Sequence, residues 1–106
     1  MYIIDNLYDA LGHTGNSYYV KFVNADSGQI WDNTNEVMAT DPAEADSAIM
    51  LVENGVTGQF PIIVPTNLPK GRRYDYIVCK MAGSLPVNTD DVTKQSSFTY
   101  GEMFGF

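Results

Sequence analysis

The stretch from Gly71 to Gly83, Gly-Arg-Arg-Tyr-Asp-Tyr-Ile-Val-Cys-Lys-Met-Ala-Gly, limits the fold more than any other part of the chain. Its Tyr, Ile and Val side chains suit a pleated, half-buried surface. A glycine closes the run at each end, and the Leu68-Pro69-Lys70-Gly71 segment in front has the composition of a turn. This predicts the central strand of a small all-β domain.

The flanking segments carry the same period. Tyr18, Val20 and Phe22 fall on one face, and Tyr19, Lys21 and Val23 on the other, so this is a strand with one face in the core. Asn24-Ala25-Asp26-Ser27-Gly28 reads as a turn. Gln29-Ile30-Trp31 and Glu36-Val37-Met38-Ala39 read as short strands on either side of the Asp32-Asn33-Thr34-Asn35 interruption. Asp41-Pro42-Ala43-Glu44 predicts a single helical turn, because Asp caps and Pro suits the first position. Residues 47–53 read as a strand buried on both faces. Residues 58–65 are extended, but prolines cannot donate to a ladder, which places this strand at an edge. Residues 84–94 read as loop and polar chain, and Gln95-Ser96-Ser97 as punctuation. The expected architecture is an antiparallel sandwich of about seven or eight short strands spanning residues 18–94, with an extension at each end.

Those extensions hold the clearest candidates for contact with another molecule. Residues 1–17 place Tyr2, Ile3, Ile4, Leu7, Tyr8, Ala10 and Leu11 loosely at helical spacing before a set of breakers, which predicts a short helix or an extended arm. Residues 95–106 alternate, with Phe98, Tyr100, Phe104 and Phe106 on one parity, and read as a last strand or an arm. Apolar faces like these must be covered, either by the chain's own domain or by a neighbour's sheet or groove. The candidate contact residues are therefore Tyr2, Ile4, Leu7, Tyr8, Phe98, Tyr100, Phe104 and Phe106.

Charge and composition remove several classes of function. With 106 residues there is room for one domain, and with only six Lys and Arg against thirteen Asp and Glu the formal charge is −7. A surface that neutralises phosphate needs clustered cations, and the one local cluster, Lys70, Arg72 and Arg73, sits at a turn; no nucleic-acid partner is expected. The lone Cys79 forms no internal disulfide and reads as a small buried hydrophobe. No run of apolar residues reaches the length of a membrane span, and the start of the chain lacks the basic and apolar regions of a secretory signal, so no membrane partner is expected.

Catalytic chemistry finds little to work with. A nucleophile needs a base in reach and a third group to orient that base, whereas the only histidine, His13, lies among breakers, far in sequence from Cys79. Zinc needs three or four His or Cys ligands, so a site would have to be shared between chains. Asp26, Asp32, Asn33, Asn35 and Glu36 cluster in loops without the regular register of a calcium loop, and turn formation accounts for them, as it does for Asp90-Asp91. No metal, cofactor or catalytic residue is expected, and the protein reads as a non-enzyme. Trp31 with Tyr18, Tyr19, Tyr74 and Tyr76 leaves two readings open: an aromatic platform for sugar, as in a carbohydrate-binding module, or core anchors.

Several stretches, in order, resemble a small immunoglobulin-like β-sandwich module of structural proteins of tailed bacteriophages. They are Tyr19-Val20-Lys21-Phe22-Val23-Asn24, Gly28-Gln29-Ile30-Trp31, Ala48-Ile49-Met50-Leu51-Val52-Glu53-Asn54-Gly55, Gly58-Gln59-Phe60-Pro61, Leu68-Pro69-Lys70-Gly71 with Tyr74-Asp75-Tyr76-Ile77-Val78, and Thr89-Asp90-Asp91. Arg72 and Arg73 before Tyr74, and Cys79 in place of a larger aromatic, depart from the usual form. The resemblance implies an immunoglobulin-like sandwich, a place in a virion assembled in the host cytoplasm, and no catalytic residue. The expectation is a capsid cement or decoration protein, oligomeric on a symmetric shell, with the major capsid protein and neighbouring copies of itself as partners. A head-tail neck or tail accessory protein is the close variant.

Overall fold

A computed structural model of the chain describes residues 2–9 and 15–101. Along the chain these form β1 (Ile3–Tyr8), β2 (Tyr18–Asn24), β3 (Ile30–Asp32), β4 (Val37–Ala39), α1 (Glu44–Ser47), β5 (Ile49–Met50), β6 (Gln59–Ile63), β7 (Arg72–Lys80) and β8 (Asp91–Tyr100). Every strand pairing is antiparallel. One six-stranded sheet runs β4-β3-β2-β7-β8, with β5 beside the first half of β2, and a two-stranded sheet of β1 and β6 covers one of its faces. The result is an all-β sandwich.

Strand parity explains the core. Tyr18, Val20 and Phe22 of β2 and Tyr74, Tyr76 and Val78 of β7 turn inward to meet Leu7, Phe60 and Ile62 from the smaller sheet. As expected, β7 lies inside its sheet, between β2 and β8. Its entry is fixed by the Tyr74 hydroxyl, which donates to the Pro69 carbonyl 2.6 Å away, five residues upstream in the manner of a sandwich tyrosine corner. Trp31 closes one end of the core at 2% exposure, and its indole N–H donates to Asn33 Oδ1 at 3.1 Å.

The outer face of the large sheet is covered only near one end. There Tyr19 and Cys79, directly opposite one another on β2 and β7, are both buried. The Tyr19 hydroxyl lies 2.8 Å from Asp90 Oδ2, 3.0 Å from Glu44 Oε2 and 3.2 Å from the Val87 carbonyl, so one phenol gathers α1 and the loop before β8.

Several expectations require correction. The helix or arm expected over residues 1–17 is a strand at Ile3–Tyr8, paired with β6. A bulge at Ile4 interrupts its alternation and turns Ile4, Asp5 and Leu7 toward the interior, and that broken period imitates helical spacing. The strand at residues 47–53, expected to be buried on both faces, shrinks to Ile49–Met50; Met50 is half exposed and Val52 is 77% exposed. The helical turn exists, but Ala43 rather than Asp41 precedes it and no side chain caps it. Residues 91–97, read as polar chain and punctuation, belong to β8. They are polar because an edge strand of this kind keeps most of its surface in water.

The free strand edges differ. On β6, Val64 donates to the Tyr2 carbonyl and Gln59 accepts from Asn54 on the opposite side, so alternation points Pro61 away from β1. The prolines thus fall where the sequence placed them, at an edge, and Pro61 removes a donor from the middle of that edge. On β1, the Asn6 N–H donates to Asp5 Oδ1 and the Asn6 carbonyl accepts from Lys94, so side chains plug the edge. Strand β4 has three residues.

Candidate functional site

The contact residues anticipated from the two ends divide into an inner and an outer set. Leu7 and Tyr100 are buried in the chain's own core, and Ile4 and Phe98 pack against it. The Phe98 ring lies 5.9 Å from those of both Phe22 and Tyr74 and 6.0 Å from that of Tyr76. Leu7 and Tyr100 thus help close their own sandwich, and Ile4 and Phe98 lie half-buried against it. Tyr2 and Tyr8 remain outside at 47% and 68% exposure, although Tyr2 also stacks on Tyr100 with centroids 5.7 Å apart. Phe104 and Phe106, like His13, lie outside the described residues.

Around Tyr2 the structure assembles an apolar surface from residues the sequence did not single out. The β1–β6 register sets Ile3 directly opposite Ile63 on the solvent face of the smaller sheet, at 47% and 39% exposure. Ile63 and Pro61 then form one wall of an apolar groove whose other wall is Met50, Leu51 and Val52. Its volume of about 320 Å³ is at the lower end of the range for small-molecule pockets, and no charged residue lines it. A groove of this character receives apolar side chains and offers no convergent polar groups for orienting a reactive substrate. What marks this surface is cross-strand pairing between segments some sixty residues apart in sequence, so pattern reading along the chain does not reveal it.

Polar groups at the rim of the sandwich hold its two layers together. Lys94 Nζ on β8 lies 2.8 Å from Asp5 Oδ2 on β1, and the Tyr76 hydroxyl donates to the same oxygen at 2.6 Å. Burial opposes ionisation of Asp5, but the hydrogen bonds from Lys94, Tyr76 and the Asn6 N–H outweigh it and hold the carboxyl below the usual carboxylate range. The bond to Asp5 raises the Lys94 ammonium, and burial followed by the Asp5 carboxylate raises the Tyr76 phenol.

On the opposite face a shallow hollow lies between α1 and the loop before β8, lined by Asp41, Pro42, Glu44, Pro86, Val87 and Asn88. Glu44 is already committed to Lys21, 2.8 Å away, and to Tyr19. Asp90 accepts from the Val87 and Ala82 N–H groups and from Tyr19. The Val87 N–H above all, then the Ala82 N–H and the Tyr19 hydroxyl, keep the Asp90 carboxyl low against a desolvation that raises it. Tyr19 is pushed far above the ordinary phenol range, by burial first and then by Asp90 and Glu44.

Of the polar loop residues, Asp32 and Asn24 are occupied by turn chemistry, while Glu36 accepts from the Asn67 amide. Asp32 accepts from the Thr34 and Asn35 N–H groups and the Asn35 amide, and Asn24 accepts from the Asp26 and Ser27 N–H groups. Among the described residues no group of three or more His, Cys, Asp or Glu side chains is placed to hold a metal ion. Among them, too, no helix is long and apolar enough to cross a membrane. The proposed sugar platform is not formed, because Trp31, Tyr18, Tyr19, Tyr74 and Tyr76 are all buried. Tyr18, Trp31, Tyr74 and Tyr76 belong to the core, and Tyr19 is buried under α1 and the loop before β8.

Neither a protein-family model nor a curated protein nor a solved structure matches this chain.

Proposed function

We propose that this protein is a non-enzymatic structural component of a tailed-phage particle, foremost a cement or decoration protein that seats on the major capsid protein shell. The observation that carries the reading is the exposed apolar surface of Ile3, Ile63, Met50 and Val52, with half-buried Pro61 in the same groove, on a domain whose own core is already closed. Side chains of this kind are costly in water and become favourable when a partner covers them, by about 25 cal/mol per Å² of apolar area removed from water. The polar rim around them, with Asn6, Gln59 and Asn33 nearby, fits an interface with an apolar centre. The resemblance of most of residues 18–91 to a sandwich module of virion structural proteins supports the same reading.

The test is to add the purified protein to phage shells that lack it, and to measure both binding and the temperature at which the shells burst. Saturable binding with a raised burst temperature, lost in an Ile3→Glu, Ile63→Glu variant that still folds, is the expected outcome. Saturable binding to isolated necks or tails instead of shells moves the protein to that part of the particle. Absence of selective binding to any of them overturns the proposal.

A further inference from the structure

We propose that β8 is a pairing edge through which two copies of this chain join in an antiparallel β8–β8 contact. In an antiparallel ladder, consecutive residues direct their N–H and C=O groups to alternate sides. The Ala25 N–H donates to the Arg73 carbonyl and the Met81 N–H to the Ser17 carbonyl, so the odd-numbered residues of β7 face β2 and the even-numbered ones face β8. Through the Tyr74–Phe98 and Tyr76–Ser96 register, Phe98 and Ser96 use their backbone groups on β7. Those of Gln95, Ser97 and Thr99 point the other way, where no described strand lies, and all three residues are exposed.

Strand edges are ordinarily blunted by proline, charge, a bulge or shortness. The other edges of this protein show such devices: Pro61 on β6, side-chain plugging of Asn6 on β1, and the short β4. Between Gln95 and Tyr100 there is neither a proline nor a charged residue, and the bulge that leaves Thr93 unpaired precedes this stretch. The bare stretch of β8 is therefore a local exception beside the described edges of β1, β4 and β6.

A second copy is the occupant that fits. With a two-fold axis through Ser97, Gln95 faces the second copy's Thr99, Ser97 faces its own counterpart, and each outward N–H meets an outward carbonyl. No other two-fold register engages all three residues at once. On the inner face this register sets Lys94 beside the second copy's Tyr100 and Ser96 beside its Phe98, so no like charges oppose one another. The contact is isologous and closes on itself. It rests on strand geometry alone and does not depend on the virion reading.

The experiment is sedimentation at physiological salt across a wide range of protein concentration. The wild-type chain is expected to pass from monomer to dimer as concentration rises. Ser97→Pro removes an outward N–H without touching the β7–β8 ladder, and is expected to stay monomeric with an unchanged melting temperature. Gln95→Lys with Thr99→Lys places lysine against lysine twice per dimer and should weaken association by about tenfold, whereas Gln95→Lys with Thr99→Glu should restore or strengthen it. Both charge pairs sit at exposed positions, so they decide the matter even if Ser97→Pro does not fold. A wild-type chain that is monomeric at every concentration, a dimer that survives Ser97→Pro, or charge pairs that act alike would each overturn the proposal.

Discussion

Lys94 and Asp5 stand 89 positions apart in the chain and 2.8 Å apart in space, bridging the two sheets at the rim of the sandwich. Each side chain is about one-third exposed, which limits the strength of the pair despite its short distance. A double-mutant cycle with Asp5→Asn and Lys94→Met should give a coupling of about 1 kcal/mol or less that shrinks as salt is raised. Coupling of several kcal/mol would mean that the pair is far better shielded from water than its exposure indicates.

Acid should unfold the protein through Asp5, Asp32 and Asp90, whose carboxyls are all held low in the folded state. The unfolded chain binds protons first as pH falls below about 4, so the stabilisation is complete above that value and is lost as pH drops through the lower folded values. Thermal melts from pH 6 to pH 2 should show this decline. An Asp90→Asn variant should be less stable at neutral pH and show a smaller fall on acidification.

Base acts through Tyr19 and Tyr76, which are raised, and through Lys94, which is raised as well. Their contribution is full below about pH 10 and disappears as pH climbs through the folded values. Absorbance from the phenolates of Tyr19 and Tyr76 should therefore appear together with unfolding. Tyr19→Phe should cost about 1 kcal/mol, because Asp90 and Glu44 lose the hydroxyl they share.

Trp31→Ala separates the core reading from the sugar-platform reading. At 2% exposure the indole is a core group, and its removal should cost about 3–5 kcal/mol, enough to unfold much of a marginally stable domain. A variant that keeps its melting temperature and loses only glycan binding would reverse this conclusion.

Cys79 is buried opposite Tyr19, and burial above all raises its thiol. Alkylation should be slow in the native state and should accelerate in step with unfolding by denaturant. Rapid stoichiometric labelling under native conditions would show that the covering formed by α1 and the loop before β8 opens easily.

The parts of this fold that could be read from the sequence are those with unbroken alternation. Strands β2 and β7 keep an unbroken row of aromatic and aliphatic groups on their inner side, Tyr18, Val20 and Phe22 on one and Tyr74, Tyr76 and Val78 on the other, so their existence and central role follow from period. Strand β1 was obscured by its bulge, and β8 because Lys94 and Ser96 occupy inward positions that patterning expects to be apolar. Of the aromatic residues at the two ends, Phe98 is covered by Phe22, Tyr74 and Tyr76 of its own chain, whereas Tyr8 stays exposed. The Ile3–Ile63 surface and the Asp5–Lys94 bridge depend on long-range register, which no local window contains.

Pro61, the plugged carbonyl and amide of Asn6, and the brevity of β4 have a common effect on what crowding can do to this molecule. Fibrils grow when every incoming chain leaves a fresh open backbone for the next. On the pairing proposed above, a newcomer that occupies the open flank of β8 uses up the bare template found among the described strands, so growth ends at a closed pair and crowding does not seed filaments.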